Sequence, residues 1–137
     1  MPTQSYPILF QNNHIFIEIE NNLWVYDTGS DKTFGKIDLT LLNQRNNIAG
    51  NYLGITAEQI SDFVGEDVAG IIGVDILNRY DHIIDLKNNL LTVSDEELAV
   101  DGHSQPLEFF MGLPTLFAMI ENRPRNFVFD TGAPISY

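Results

Sequence analysis

The sequence predicts a mainly β fold with one or two short helices. Three observations carry that prediction. Short apolar runs alternate with Asn-rich turns through the first half of the chain. Only two stretches show helical spacing. A strand–turn–strand pattern near the start recurs near the other end.

The elements follow in order. Ile8 to Phe10, His14 to Ile19 and Leu23 to Tyr26 read as three strands, punctuated by Asn12-Asn13 and Asn21-Asn22. Ile15, Ile17 and Ile19 alternate with Phe16, Glu18 and Glu20, the two-residue period of a strand. Asp27-Thr28-Gly29-Ser30 breaks the pattern. Ile37 to Leu42 reads as a strand, Asn43 to Asn47 as a polar turn, and Ile48 to Leu53 as the return. Thr56 and Gln59 form a capping box, Ile60, Phe63 and Val64 follow at helical spacing, and Gly65 ends that helix. Gly70-Ile71-Ile72-Gly73-Val74 is a buried apolar run, and Asp75 to Tyr80 a second short helix. Ile83 to Leu86 and Leu90 to Val93 flank a turn at Lys87-Asn88-Asn89. The organisation expected is a complete unit over 1–100, a polar linker over 101–112, and the opening of a second unit over 113–137.

Composition narrows the function. The 137 residues hold 7 Lys+Arg against 19 Asp+Glu, a net charge of -12. Nucleic acid and anionic membrane are poor partners for such a chain, because phosphate binding needs clustered basic residues. No apolar run is long enough to span a bilayer, and the start resembles no secretory signal, so a cytoplasmic protein is expected. With no cysteine, thiol nucleophiles and thiolate metal sites are excluded. His14, His82 and His103 are scattered, so no metal or other cofactor is expected.

The repeat is the strongest signal. His14 to Asn21 matches Thr115 to Asn122, 101 residues on. Leu23 to Ser30 matches Asn126 to Ala133, 103 residues on, with the second turn read as two residues longer. Each copy ends in Asp-Thr-Gly behind an aromatic-rich strand. A single such motif reads as an Asx-turn in which the aspartate caps its own loop. Two facing copies would bring two carboxylates about 3 Å apart, where they share one proton. The neutral acid would polarise a carbonyl while the carboxylate activates water. Ser30 stands where the second copy has Ala133. A hydroxyl there can donate to a carboxylate, which makes Asp27 the expected ionised member.

Val25-Tyr26-Asp27-Thr28-Gly29-Ser30, Ile71-Ile72-Gly73-Val74-Asp75-Ile76-Leu77 and Tyr80 to Val93 together resemble the aspartic proteases, both pepsin-like and retropepsin-like. The resemblance spans about residues 8 to 94, with 113 to 137 as a second start. It implies an acid-protease-like closed β-barrel lobe plus the opening hairpin of a second lobe. It implies Asp27 and Asp130 as catalytic residues acting on a peptide or protein substrate. Thr28 and Thr131 would hold the two loops together, Gly29 and Gly132 would allow the tight turns, and Gly73 would let its strand pass beneath the Asp27 loop. The family's flap corresponds to Leu39 to Tyr52, with Tyr52 as a candidate substrate contact.

Two other readings stand beside this one. A non-catalytic retropepsin-like domain would bind or dimerise without a competent cleft. Asp27-x-Gly29-Ser30 after an apolar strand also resembles the phosphate loop of actin-like and sugar-kinase ATPases. The strand Leu113 to Phe129 is expected as an unpaired edge, which favours a homodimer or a covering second lobe.

Overall fold

Strands form where apolar residues alternate. In the computed structural model, which describes residues 3–132, β1 spans Thr3–Gln11, β2 His14–Ile19 and β3 Asn22–Tyr26. Two-residue turns at Asn12-Asn13 and Glu20-Asn21 join them, all four residues with positive φ. Turns of this hand match strand twist, and Asn tolerates the left-handed region. Short strands follow as β4 (Phe34–Gly35), β5 (Leu39–Leu41), β6 (Gln44–Asn46), β7 (Asn51–Tyr52) and β8 (Ile55–Thr56). The polar stretch 43–47 is therefore not all turn. Leu42 and Asn43 make the turn, and β6 pairs back onto β5.

Helix α1 (Ala57–Val64) begins at the expected capping box. The Gln59 N–H donates to the Thr56 hydroxyl oxygen, the Thr56 N–H donates to the Gln59 side chain, and Gly65 ends the helix in the left-handed region. Then come β9 (Gly70–Ile72), α2 (Val74–Leu77), β10 (Asp81–Asp85) and β11 (Leu90–Ser94). The last three strands are β12 (Glu108–Phe110), β13 (Leu113–Ile120) and β14 (Arg123–Val128). Among the described residues, no helix is long and apolar enough to cross a membrane.

Seven strands form one sheet in the order β10-β11-β1-β2-β3-β9-β4. β1 is its hinge. Thr3–Pro7 pair with β11, while Ile8–Gln11 pair with β2. Apolar side chains from both halves meet in one cluster, with Ile17, Trp24, Tyr26, Ile72, Leu91 and Val93 all buried. The opposite face of β2 and β3 buries Phe16 and Val25 against Val64 of α1. This explains why His14–Ile17 are buried on both faces while Glu18 stays exposed.

The fold is mainly β, as expected, but the closed barrel is not formed. The sheet is open, ending at β10 and β4. β4 is only two residues long and cannot carry the ladder round to five-residue β10. Leu39, Leu41 and Leu42 with Ile76 and Leu77 of α2 pack into the core instead of a closing strand pair.

The second copy of the repeat forms its own three-stranded sheet, β12-β13-β14. Segment 113–129 is thus not one unpaired edge: β13 lies between two neighbours, and β14 carries a free edge. The stretch 101–112 carries β12 near its end. The second turn is not longer than the first. Glu121 and Asn122 have φ of 50° and 62°, against 50° and 65° at Glu20 and Asn21. The two extra residues lie in the strand, which delays Asp130 by one residue pair.

Candidate active site

Each Asp-Thr-Gly lies where a hairpin strand runs out. Tyr26 ends β3, and Phe129 N–H still donates to Pro114 O at 2.8 Å beyond β14. Each aspartate then closes on its own loop. Gly29 N–H donates to Asp27 Oδ1 at 2.9 Å, and Gly132 N–H donates to Asp130 Oδ1 at 2.9 Å. That is the Asx-type turn that either motif would make alone.

The two loops also grip each other. Thr28 N–H donates to Thr131 Oγ1 at 3.0 Å, and Thr131 N–H donates to Thr28 Oγ1 at 3.0 Å. The hydroxyls donate in turn, Thr131 to Tyr26 O at 2.7 Å and Thr28 to Phe129 O. Four bonds therefore tie the loops across a local two-fold arrangement. Thr28, nine-tenths or more buried, has no water to replace them.

The glycines make room for the opposite carboxylates. A Cβ on Gly29 would overlap the Asp130 carboxylate, and a Cβ on Gly132 would overlap that of Asp27. Each carboxyl group thus lies against the other's loop, and two carboxyl groups so placed do not both ionise readily. Burial, the Asp130 hydrogen bond and its charge raise Asp27 from 3.8 to about 7, while the N–H groups of Gly29 and Gly132 act in the opposite sense.

Ser30 does not play its expected part. Its hydroxyl donates to Lys32 O at 2.9 Å, not to Asp27. The hydroxyl expected to favour an ionised Asp27 is engaged elsewhere. The contrast with Ala133 lies outside the described residues.

Gly73 lies beneath the Asp27 loop. A Cβ there would come within 2.7 Å of both Ser30 O and Lys32 O. Asp27 N–H donates to Ile72 O at 3.0 Å and Val74 N–H to Ser30 O at 2.8 Å, so the β9–α2 junction supports the loop directly. Tyr52 stacks on Phe34 with ring centroids 6.2 Å apart, and the Asp31 carboxylate beside its hydroxyl raises the phenol. It packs on the α1 side of the sheet.

Two supports went unread in the sequence. Thr33, buried, accepts from Gly73 N–H at 2.9 Å and donates to Asp75 Oδ1 at 2.6 Å. Asp75 sits in the quoted Ile71-to-Leu77 run, but a carboxylate at a helix start already has a bland explanation in the helix dipole. Tyr26 pairs through its hydroxyl with His82 Nδ1, and burial lowers His82. A cavity of about 490 Å³ opens between this pair and Pro114, Phe109 and Phe129.

The amides a phosphate would need are engaged: Thr28 N–H by Thr131, Gly29 N–H by Asp27. Among the described residues no three His, Asp or Glu side chains converge as metal ligands. Comparison with protein-family models, with curated proteins and with solved structures gave no match.

Proposed function

We propose that the chain is an aspartic endopeptidase in which Asp27 and Asp130 form a two-carboxylate dyad. The observation that carries this reading is the reciprocal cradle, each carboxyl group lying over the glycine of the other loop. One carboxyl of the pair holds a proton and acts as the acid. The other, a carboxylate, takes a proton from a water molecule, whose oxygen attacks the peptide carbonyl carbon as the acid protonates the carbonyl oxygen. The carboxyl that took the water proton then gives it to the amide nitrogen, the other carboxylate takes back a proton from a diol hydroxyl, and the C–N bond breaks to release the amine and the carboxylic acid. Water is the nucleophile throughout, so neither metal nor covalent intermediate is required.

The pair needs one proton and no more, so cleavage falls as pH rises through about 7. The test is digestion of a diverse peptide library between about pH 3 and 7, with cut sites read by mass spectrometry. Wild type, Asp27→Asn and Asp130→Asn are run together. Cleavage lost in both variants is the expected result. Cleavage lost only in Asp27→Asn would instead assign the dyad to two Asp27 loops from two copies. No cleavage by wild type would overturn the reading in favour of a non-catalytic binding or dimerisation domain. The exposed apolar faces of β13 and β14 are the feature that favours this second reading.

A further inference from the structure

Among the described residues, the small sheet repeats the first three strands of the large one without the fourth. β12, β13 and β14 pair in the order of β1, β2 and β3. In the first copy β3 has one more neighbour. β9 runs parallel to it, with Trp24 beside Gly70 and Tyr26 beside Ile72. Two bonds seal its ends: Ala69 N–H donates to Leu23 O at 2.7 Å, and Asp27 N–H to Ile72 O at 3.0 Å. Among the described residues no strand stands beside β14 in that place.

The free edge can be read group by group. In an antiparallel pair, successive residues turn their N–H and C=O alternately toward the partner and away. Phe129 N–H donates to Pro114 O, so Phe129 faces β13. Its neighbours Val128 and Asp130 therefore turn their N–H groups outward, as Asn126 turns its C=O. These three match Val25, Asp27 and Leu23 of the first copy, 103 residues earlier. Pro124, further along the same edge, has no N–H to offer. The edge is open beside the Asp-Thr-Gly loop and blocked near the turn. Its flanking side chains are apolar and exposed, Phe127 at 40%, Val128 at 48% and Phe129 at 41%.

We infer that the outer edge of β14 over Asn126–Asp130 takes a further polypeptide strand, running parallel, of the apolar-apolar-Gly kind that Ile71-Ile72-Gly73 supplies to β3. The apolar pair covers the exposed faces, and the glycine passes beneath the Asp130 loop as Gly73 passes beneath that of Asp27. A second folded copy does not offer its own β9, because that strand is paired on both sides, by β3 and β4. The occupant is a strand that is free when it meets this chain. The inference stands on backbone geometry and is independent of the hydrolytic reading.

The test uses the whole chain and a synthetic peptide copying residues 69–75, Ala-Gly-Ile-Ile-Gly-Val-Asp. Hydrogen exchange is followed by NMR. Saturating peptide is expected to slow exchange at the Val128 and Asp130 amides at least tenfold and leave Val25 unchanged. Val128→Pro removes an outward N–H without touching the bonds to β13, and is expected to abolish the effect. A peptide with proline at the second isoleucine serves the same purpose if that variant fails to fold. No protection in wild type, or protection that survives both changes, would overturn the inference. So would a concentration-dependent dimer that protects the same amides without peptide, which would give the edge to a second copy.

Discussion

The β2–β3 hairpin and the β13–β14 hairpin are two answers to one sequence pattern. Both turn through a Glu-Asn pair with nearly equal φ, and both deliver an Asp-Thr-Gly loop. Their surroundings differ. Trp24 and Tyr26 are buried at 1% and 0% exposure, while their counterparts Phe127 and Phe129 stand at 40% and 41%. The turn and the loop are local products of Asn, Gly and strand period. Burial comes from what packs on the hairpin: α1, β9 and the β5 leucines cover the first, and nothing equivalent covers the second among the described residues.

The largest expected break in the comparison comes from its aromatic pair. Trp24→Ala should cost about 3–5 kcal/mol in urea unfolding, and Phe127→Ala within about 1 kcal/mol. Equal costs would mean that the second hairpin is covered in solution. The next effect is on pH dependence. Asp27 binds its proton more tightly when folded, so the associated stability is complete below its ordinary value of 3.8 and is lost as pH rises through about 7. Wild type should lose a few kcal/mol across that window, at about 1.4 kcal/mol per unit, relative to Asp27→Asn. Denaturant titrations of the two proteins at each pH check this.

Smaller effects sharpen the symmetry. Thr28→Val and Thr131→Val each remove two bonds between the loops and should each cost about 1–3 kcal/mol, whereas Thr→Ser at either position should cost less, since the hydroxyl remains. Near-equal losses at the two positions are expected by thermal unfolding. The smallest contrast is at the turns. Asn21→Ala and Asn122→Ala should each lower the local opening free energy by roughly 1 kcal/mol, because both positions hold positive φ, which alanine tolerates less well than asparagine. Amide exchange within each hairpin measures it.

Much of this was readable from residues alone. β2 falls where the alternation of Ile15, Ile17 and Ile19 places it, and α1 where Thr56 and Gln59 cap it. The reading of Thr28 and Thr131 as partners is what the family resemblance implies. What the chain concealed was non-local. β4 is a two-residue strand whose only signal is its neighbours, and closure of the sheet depends on whether its ends can meet. The Ser30 hydroxyl bonds to Lys32 O, a partner that only the fold shows. The Thr33–Asp75 bond spans 42 residues and leaves no periodic trace.

The reciprocal cradle makes each glycine a condition on the other loop. Gly29 is small for the sake of Asp130, and Gly132 for the sake of Asp27. A methyl group added to one loop is therefore felt by the opposite strand. The energies of Gly29→Ala and Gly132→Ala should not add, because the first to displace the facing carboxylate already loosens the pair that the second would disturb. Two loops 103 residues apart in the chain thus share one steric condition.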